Sequence, residues 1–204
     1  MNESRFLVWF FTWYTRWLYW RTFASVDIRT EYHPTPKQST LYVLNHHYWF
    51  DALTPLLLNH RYFHQKLLAI MDQVQLENHP FFAKLGAIAI DRTHARSAVK
   101  TLDQASDWLS EPGTCVFLYP QGKLTDATEP IVLESGVVRL IDNAPMADVV
   151  PIGMHIHFRN GPKPELVIRI GKPIEFPTNS PKALVLQMVQ HAIKSELVEI
   201  NREN

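Results

Sequence analysis

Short apolar runs of strand length recur along this chain, each set apart from the next by a helical stretch or a Pro- or Gly-marked turn. Val26–Tyr32 and Thr40–Leu44 flank the turn-prone His33-Pro34-Thr35-Pro36, and Lys66–Met71 and Ala87–Ile90 follow. Thr114–Leu118 is a buried strand by its length and β-branched content. Asp148–Phe158 and Glu165–Ile170 read as a strand pair around the turn Arg159-Asn160-Gly161-Pro162. Between them, Asp51–Asn59 is expected to be helical with Asp51 as N-cap. Gln75–Lys84 reads as irregular or helical, broken by Pro80. His94–Ser110 carries Ala98, Leu102, Ala105 and Leu109 at helical spacing and stops at Pro112-Gly113. A helix near Glu134–Asn143 and an amphipathic one over Pro181–Ile200 complete the pattern. Strands alternating with helices predict an α/β fold, a single domain with a mixed, largely parallel sheet flanked by helices. No repeat, low-complexity tract or linker divides residues 25–204.

The chain has 204 residues, enough for one domain to bury a proper core. Its 46% hydrophobic content is too high for a disordered chain. Twenty basic residues balance twenty acidic ones, so no global basic field points to nucleic acid. The single Cys115 excludes an internal disulfide framework and a multi-cysteine zinc site.

Residues 1–24 stand apart. Trp9, Trp13, Trp17 and Trp20 fall on one face of a helix, with Arg5, Thr12 and Arg16 gathered on another. A spanning helix wants about 20 apolar residues without a mid-segment charge, and Arg16 interrupts this one. Tryptophan and tyrosine prefer the headgroup layer, and no small-residue cleavage site follows. The expectation is a helix lying in the membrane interface. The alternative is an amphipathic helix packed on the protein's own core or on a partner.

The richest segment for chemistry is Leu41–Asp51. An apolar strand delivers Asn45 and His46 to its end, where α/β sheets expose their working side chains, and a helix begins near Asp51. A carboxylate there can fix the imidazole tautomer and stabilise the imidazolium formed on proton uptake. Such a histidine can deprotonate a substrate hydroxyl directly. His47 is the alternative base, and its spacing to Asp51 is one residue shorter. Three further blocks follow downstream. Gly86 precedes an apolar run ending in Asp91-Arg92. Val116-Phe117-Leu118-Tyr119-Pro120-Gln121-Gly122-Lys123 runs from a strand into a turn with a cation. Val149-Val150-Pro151-Ile152-Gly153 is a strand carrying a proline.

In this order and spacing, the four blocks resemble the glycerolipid acyltransferase family typified by 1-acylglycerol-3-phosphate acyltransferase, within the lysophospholipid acyltransferase superfamily. The family's Asn-His, four residues, then Asp is matched by Asn45, His46 and Asp51. Its Gly, hydrophobic run and Asp-Arg are matched by Gly86, Asp91 and Arg92. The resemblance covers about residues 40 to 155. It implies transfer of a fatty acyl group from acyl-CoA or acyl carrier protein to a lysolipid hydroxyl at a membrane surface. It further implies His46 as general base, Asp51 as its orienter and Arg92 as a cation for the acceptor's phosphate. Gln121, Gly122 and Lys123 would shape the acceptor site, and Pro151 would line the acyl channel. No metal, cofactor or covalent enzyme intermediate is implied. The expected localisation is peripheral or monotopic, on the cytoplasmic face of the cell membrane.

The third block departs from the family's Phe-Pro-Glu-Gly-Thr-Arg. Gln121 replaces Glu, Lys123 replaces Thr and Leu124 replaces Arg. Glutamine keeps a carbonyl acceptor but loses a charge, and the missing arginine removes a two-point phosphate grip. Either Arg92 and Lys123 share the phosphate of lysophosphatidic acid, or the acceptor lacks a phosphomonoester. A non-catalytic lipid-binding protein on an acyltransferase scaffold is a third possibility. Ten histidines raise the question of a metal, but His60 and His64 lack the zincin glutamate between them. His155 and His157 share one face of a strand, suited to surface or channel-lining roles. With no Gly-x-Ser-x-Gly elbow, the serine hydrolase reading lacks its nucleophile, and the lack of a glycine-rich phosphate loop or dinucleotide fingerprint argues against nucleotide-dependent classes.

Overall fold

Helix α1 (Arg5–Thr22) opens a computed structural model that describes residues 4–158 and 161–202, with nothing said of the Arg5 side chain. Ser4 caps the helix by accepting the Leu7 N–H. Thr12 and Thr15 turn inward and bond their hydroxyls to the carbonyls of Val8 and Phe11, each at 2.7 Å. Back-bonding of this kind lets a hydroxyl enter an apolar contact with its polarity satisfied. Thr12 and Arg16, expected on one polar face, therefore part. Thr12 faces the core, and Arg16 is exposed among the tryptophans. The Arg5 side chain lies outside what is described.

The strands are β1 (Ser25–Thr30), β2 (Thr40–Leu44), β3 (Lys66–Asp72), β4 (Ala87–Ile90), β5 (Thr114–Leu118), β6 (Asp148–His157) and β7 (Glu165–Ile170). They form one sheet in the order β1-β7-β6-β2-β5-β3-β4, parallel at every pairing except β6 with β7. The mixed, largely parallel sheet expected from the sequence is thus present. Every residue of β2 and β5 is buried, as strands covered on both faces must be. Of the turn expected between β6 and β7, Arg159 and Asn160 lie outside the described residues.

Two cores follow from the period-2 alternation of these strands. Tyr42, Leu44 and Phe117 point to the side covered by α1 and by α2 (Thr54–Leu58). Leu41, Val43, Val116 and Leu118 point to the other side. There they meet α4 (Ala95–Leu109), α5 (Gly136–Asn143) and α6 (Lys182–Arg202), while the short α3 (Gln73–Asn78) links β3 to β4.

The segment after β2 differs from the expected single helix. A 3-10 turn over Trp49–Leu53 leads into α2, and a π-helical turn over Asn59–Phe63 ends at His64, whose φ of 54° is left-handed. Tyr48, not Asp51, is the N-cap, and Asp51 is the third residue of the turn. Its carboxylate reaches back to the Tyr48 N–H instead of capping from in front. Among the described residues no helix is long and apolar enough to cross a membrane.

Candidate active site

Strands β2, β5, β3 and β4 run parallel and adjacent, so their carboxyl ends open along one edge of the sheet. His46 follows β2, Tyr119 and Gln121 follow β5, Asp72 ends β3, and Arg92 follows β4. That edge is where open α/β sheets bind ligands. Here it forms a cleft of about 650 Å³.

Asp51 organises the turn around His46. Its Oδ2 lies 2.8 Å from His46 Nδ1 and accepts the N–H groups of His47 and Tyr48, each at 3.0 Å. The carboxylate is 1% exposed, against 22% for the His46 side chain. A carboxylate on Nδ1 selects the tautomer with hydrogen on that atom, which leaves the Nε2 lone pair for the cleft. His47 is oriented differently: its Nδ1 faces the Thr125 carbonyl at 3.1 Å. Asn45 is fully buried and pairs with the backbone of Met154 through both amide atoms, extending the β2–β6 seam by one side chain.

The third block closes over this turn. Gln121 is 3% exposed, and its carbonyl accepts the His46 N–H at 2.7 Å. Its amide donates to Thr125 Oγ1 at 2.6 Å, and the Thr125 N–H returns to the His46 carbonyl at 3.0 Å. Gln121 therefore faces the histidine backbone. The Tyr119 ring lies 4.5 Å from the His46 ring, and its hydroxyl donates to the Asp51 carbonyl. Burial, then the Asp51 charge and Tyr19, push the Tyr119 hydroxyl up, so it remains a donor. Neither Tyr119 nor Thr125 was singled out from the sequence. The signal for Tyr119 was present, since it stands where the family has Phe and adds a hydroxyl.

Gly86 is left-handed at φ 97°, and a Cβ there would lie 2.7 Å from the Leu67 carbonyl oxygen. That close approach sets β4 against β3 and aims Arg92 at the cleft. Arg92 donates through Nη1 to the Gly122 carbonyl, and its Nε lies 3.7 Å from Asp72 Oδ2. Gly122, at φ 70°, is left-handed, and a side chain there would displace the Arg92 guanidinium. Asp91 turns away and bonds Thr93 and His94, with Thr93 the larger influence holding its carboxyl down to about 2.

His46, Arg92 and Gly122 line the cleft together. Lys123 is exposed and is not among its lining residues. Pro151 lies within β6 opposite Val43 and lines a separate groove with Lys172 and Glu196 against α6. It lies outside the cleft because the odd-numbered positions of that part of β6 face the α6 side. Phe10, Phe11 and Tyr14 of α1 supply a cleft wall, with Phe11 stacked on Phe81 at 4.6 Å. The outer face of α1 is aromatic: Trp9 and Trp20 are 66% and 74% exposed. His155 and His157 pack ring to ring at 4.5 Å, and no three metal-ligating side chains converge among the described residues.

Residues 25–155 match the family model described as Acyltransferase. Among solved structures, the chain is similar to the 1-acyl-sn-glycerophosphate (LPA) acyltransferase PlsC from Thermotoga maritima. That likeness has a TM-score of 0.68 and 14% identity, covering 94% of this chain and 79% of the other; at that identity it establishes a shared fold. No curated protein matches the chain in sequence.

Proposed function

The chain belongs to the acyltransferase family, and on that premise we propose that it moves a fatty acyl group from acyl-CoA or acyl carrier protein to the hydroxyl of a lysolipid, with His46 as general base. The observation that carries this reading is the His46 Nδ1–Asp51 Oδ2 contact of 2.8 Å, with the opposite ring nitrogen left for the cleft. The Thermotoga maritima protein of the same fold is named for acyl transfer to a lysolipid.

The step balances without a co-reactant. His46 Nε2 takes the proton of the acceptor hydroxyl as that oxygen bonds to the thioester carbonyl carbon. Asp51 stabilises the imidazolium. The tetrahedral intermediate collapses with loss of the C–S bond, and the departing thiolate receives the proton back from His46. Tyr119 and Gln121 act through His46, one against its ring and one on its backbone. Residues 25–204 form the transferase domain. Helix α1 holds it to the membrane surface as a peripheral or monotopic protein, bringing the cleft to the layer where lysolipids reside.

The test is thiol release and acylated product from purified protein given an acyl-CoA and a mixture of lysolipids. His46→Ala is expected to lower turnover by about 10²- to 10⁴-fold while circular dichroism and thermal midpoint stay unchanged. Wild-type protein that binds lysolipid yet transfers no acyl group would establish the lipid-binding scaffold instead.

A further inference from the structure

The family's usual acceptor carries a phosphomonoester, which bears about −1.5 to −2 charge near neutral pH. The charges lining this cleft do not complement it. Arg92 is the only lysine or arginine among the lining residues. Its guanidinium is already engaged, with Nη1 on the Gly122 carbonyl and Nε beside Asp72. Arginine grips phosphate through a free planar fork, and part of this fork is taken by the backbone of the loop below it.

Two carboxylates line the same cleft. Asp72 is the one beside Arg92, and Glu134 packs on the same flank of Gly122 as the Arg92 guanidinium. The Glu134 carboxylate has no hydrogen-bond or ion-pair partner among the described residues. Apart from its histidines, the cleft thus holds one positive and two negative side chains. Leu124, which stands where the resembled family's third block has arginine, lines the cleft with an apolar side chain. The neighbouring Lys123 is exposed and outside it.

Building on the acyl-transfer reading above, we infer that the acceptor is a lipid alcohol without a phosphomonoester, its head presenting hydroxyl or ammonium donors to Glu134 and Asp72. A dianionic head would meet two carboxylates against one arginine in a largely apolar cleft, Glu134 without a partner of its own, and like charges there are costly. A head that donates hydrogen bonds gives those carboxylates partners. Arg92 serves instead as a strut that fixes the Gly122 turn.

The experiment compares lysophosphatidic acid, lysophosphatidylethanolamine and monoacylglycerol of one chain length, presented in neutral detergent micelles with one acyl-CoA. The expected result is a kcat/KM for lysophosphatidic acid at least about tenfold below that of both other acceptors. Glu134→Gln and Leu124→Arg are each expected to raise the ratio of lysophosphatidic acid to monoacylglycerol turnover by about threefold or more. Equal or preferred use of lysophosphatidic acid overturns this inference and leaves the acyl-transfer reading standing. A ratio unmoved by both variants also overturns it. Failure to acylate any of the three acceptors overturns the acyl-transfer reading, and this inference with it.

Discussion

The Gln121 carboxamide and the His46 backbone form a closed ring of hydrogen bonds through Thr125. The glutamine carbonyl takes the His46 N–H, the glutamine amide gives to the Thr125 hydroxyl, and the Thr125 N–H returns to the His46 carbonyl. The loop after β5 is thereby tied to the turn after β2, and the proposed base is held from behind by a residue that does not line the cleft.

Removing the carbonyl acceptor should show in turnover more than in substrate affinity. Gln121→Leu leaves the His46 N–H unpaired at a cost of about 1–3 kcal/mol, and the ring can relax away from its alignment. We expect kcat to fall by about tenfold with KM nearly constant, because the lost interaction aligns the base and touches no substrate. Gln121→Glu keeps an oxygen for the N–H and should restore most of the rate. Equal loss in both variants would show that the carbonyl acceptor is not what matters.

Gly86 is where backbone geometry limits substitution most sharply. Alanine there must adopt φ 97° and place its Cβ 2.7 Å from the Leu67 carbonyl oxygen. Unfolding in urea should show Gly86→Ala destabilised by about 1–3 kcal/mol. A midpoint within error of wild type would refute the close approach.

Burial first, then the neighbouring His157 and His47, hold the His155 imidazole below its ordinary range. The unfolded chain binds a proton that the folded chain refuses. Stability tied to this group is therefore present at higher pH and lost as pH falls through about 6.5, the unfolded value. His155→Gln should flatten the dependence of thermal midpoint on pH between about 5 and 6.5. Parallel curves for the two proteins would contradict the assignment.

Helix α1 separates its inward and outward duties. Trp9, Trp13 and Trp20 are exposed, so replacing all three with serine should leave the thermal midpoint unchanged. The same variant should bind phospholipid vesicles about tenfold or more weakly, because tryptophan anchors at the headgroup layer. Undiminished vesicle binding in a sedimentation assay would locate membrane attachment elsewhere.

The alternation of strands and helices was legible because burial on both faces forces β2 and β5 to be short, apolar and β-branched or aromatic. Strands of that kind announce themselves in one dimension. The Asp51 turn was less legible. An acidic residue before an apolar run reads as an N-cap, but here the carboxylate reaches backward to three donors of the preceding residues. Nothing local separates a forward cap from a backward one, since both place one carboxylate at a helix start.

The resemblance of the four blocks to a family pattern singled out Asn45, His46, Asp51, Gly86, Arg92 and Gln121, and all but Gly86, which precedes β4, follow a strand or lie in the turn after one. Whether a side chain at such an end faces the cleft, the backbone or the opposite side of the sheet depended on strand order and pleat. Those placed Pro151 against α6, turned Gln121 onto the His46 backbone and spent part of the Arg92 fork on Gly122. Facing is set by contacts between segments about 30 to 108 residues apart. Residue type and spacing therefore carried the family resemblance and the proposed acyl-transfer chemistry, and tertiary packing determined which groups face the cleft.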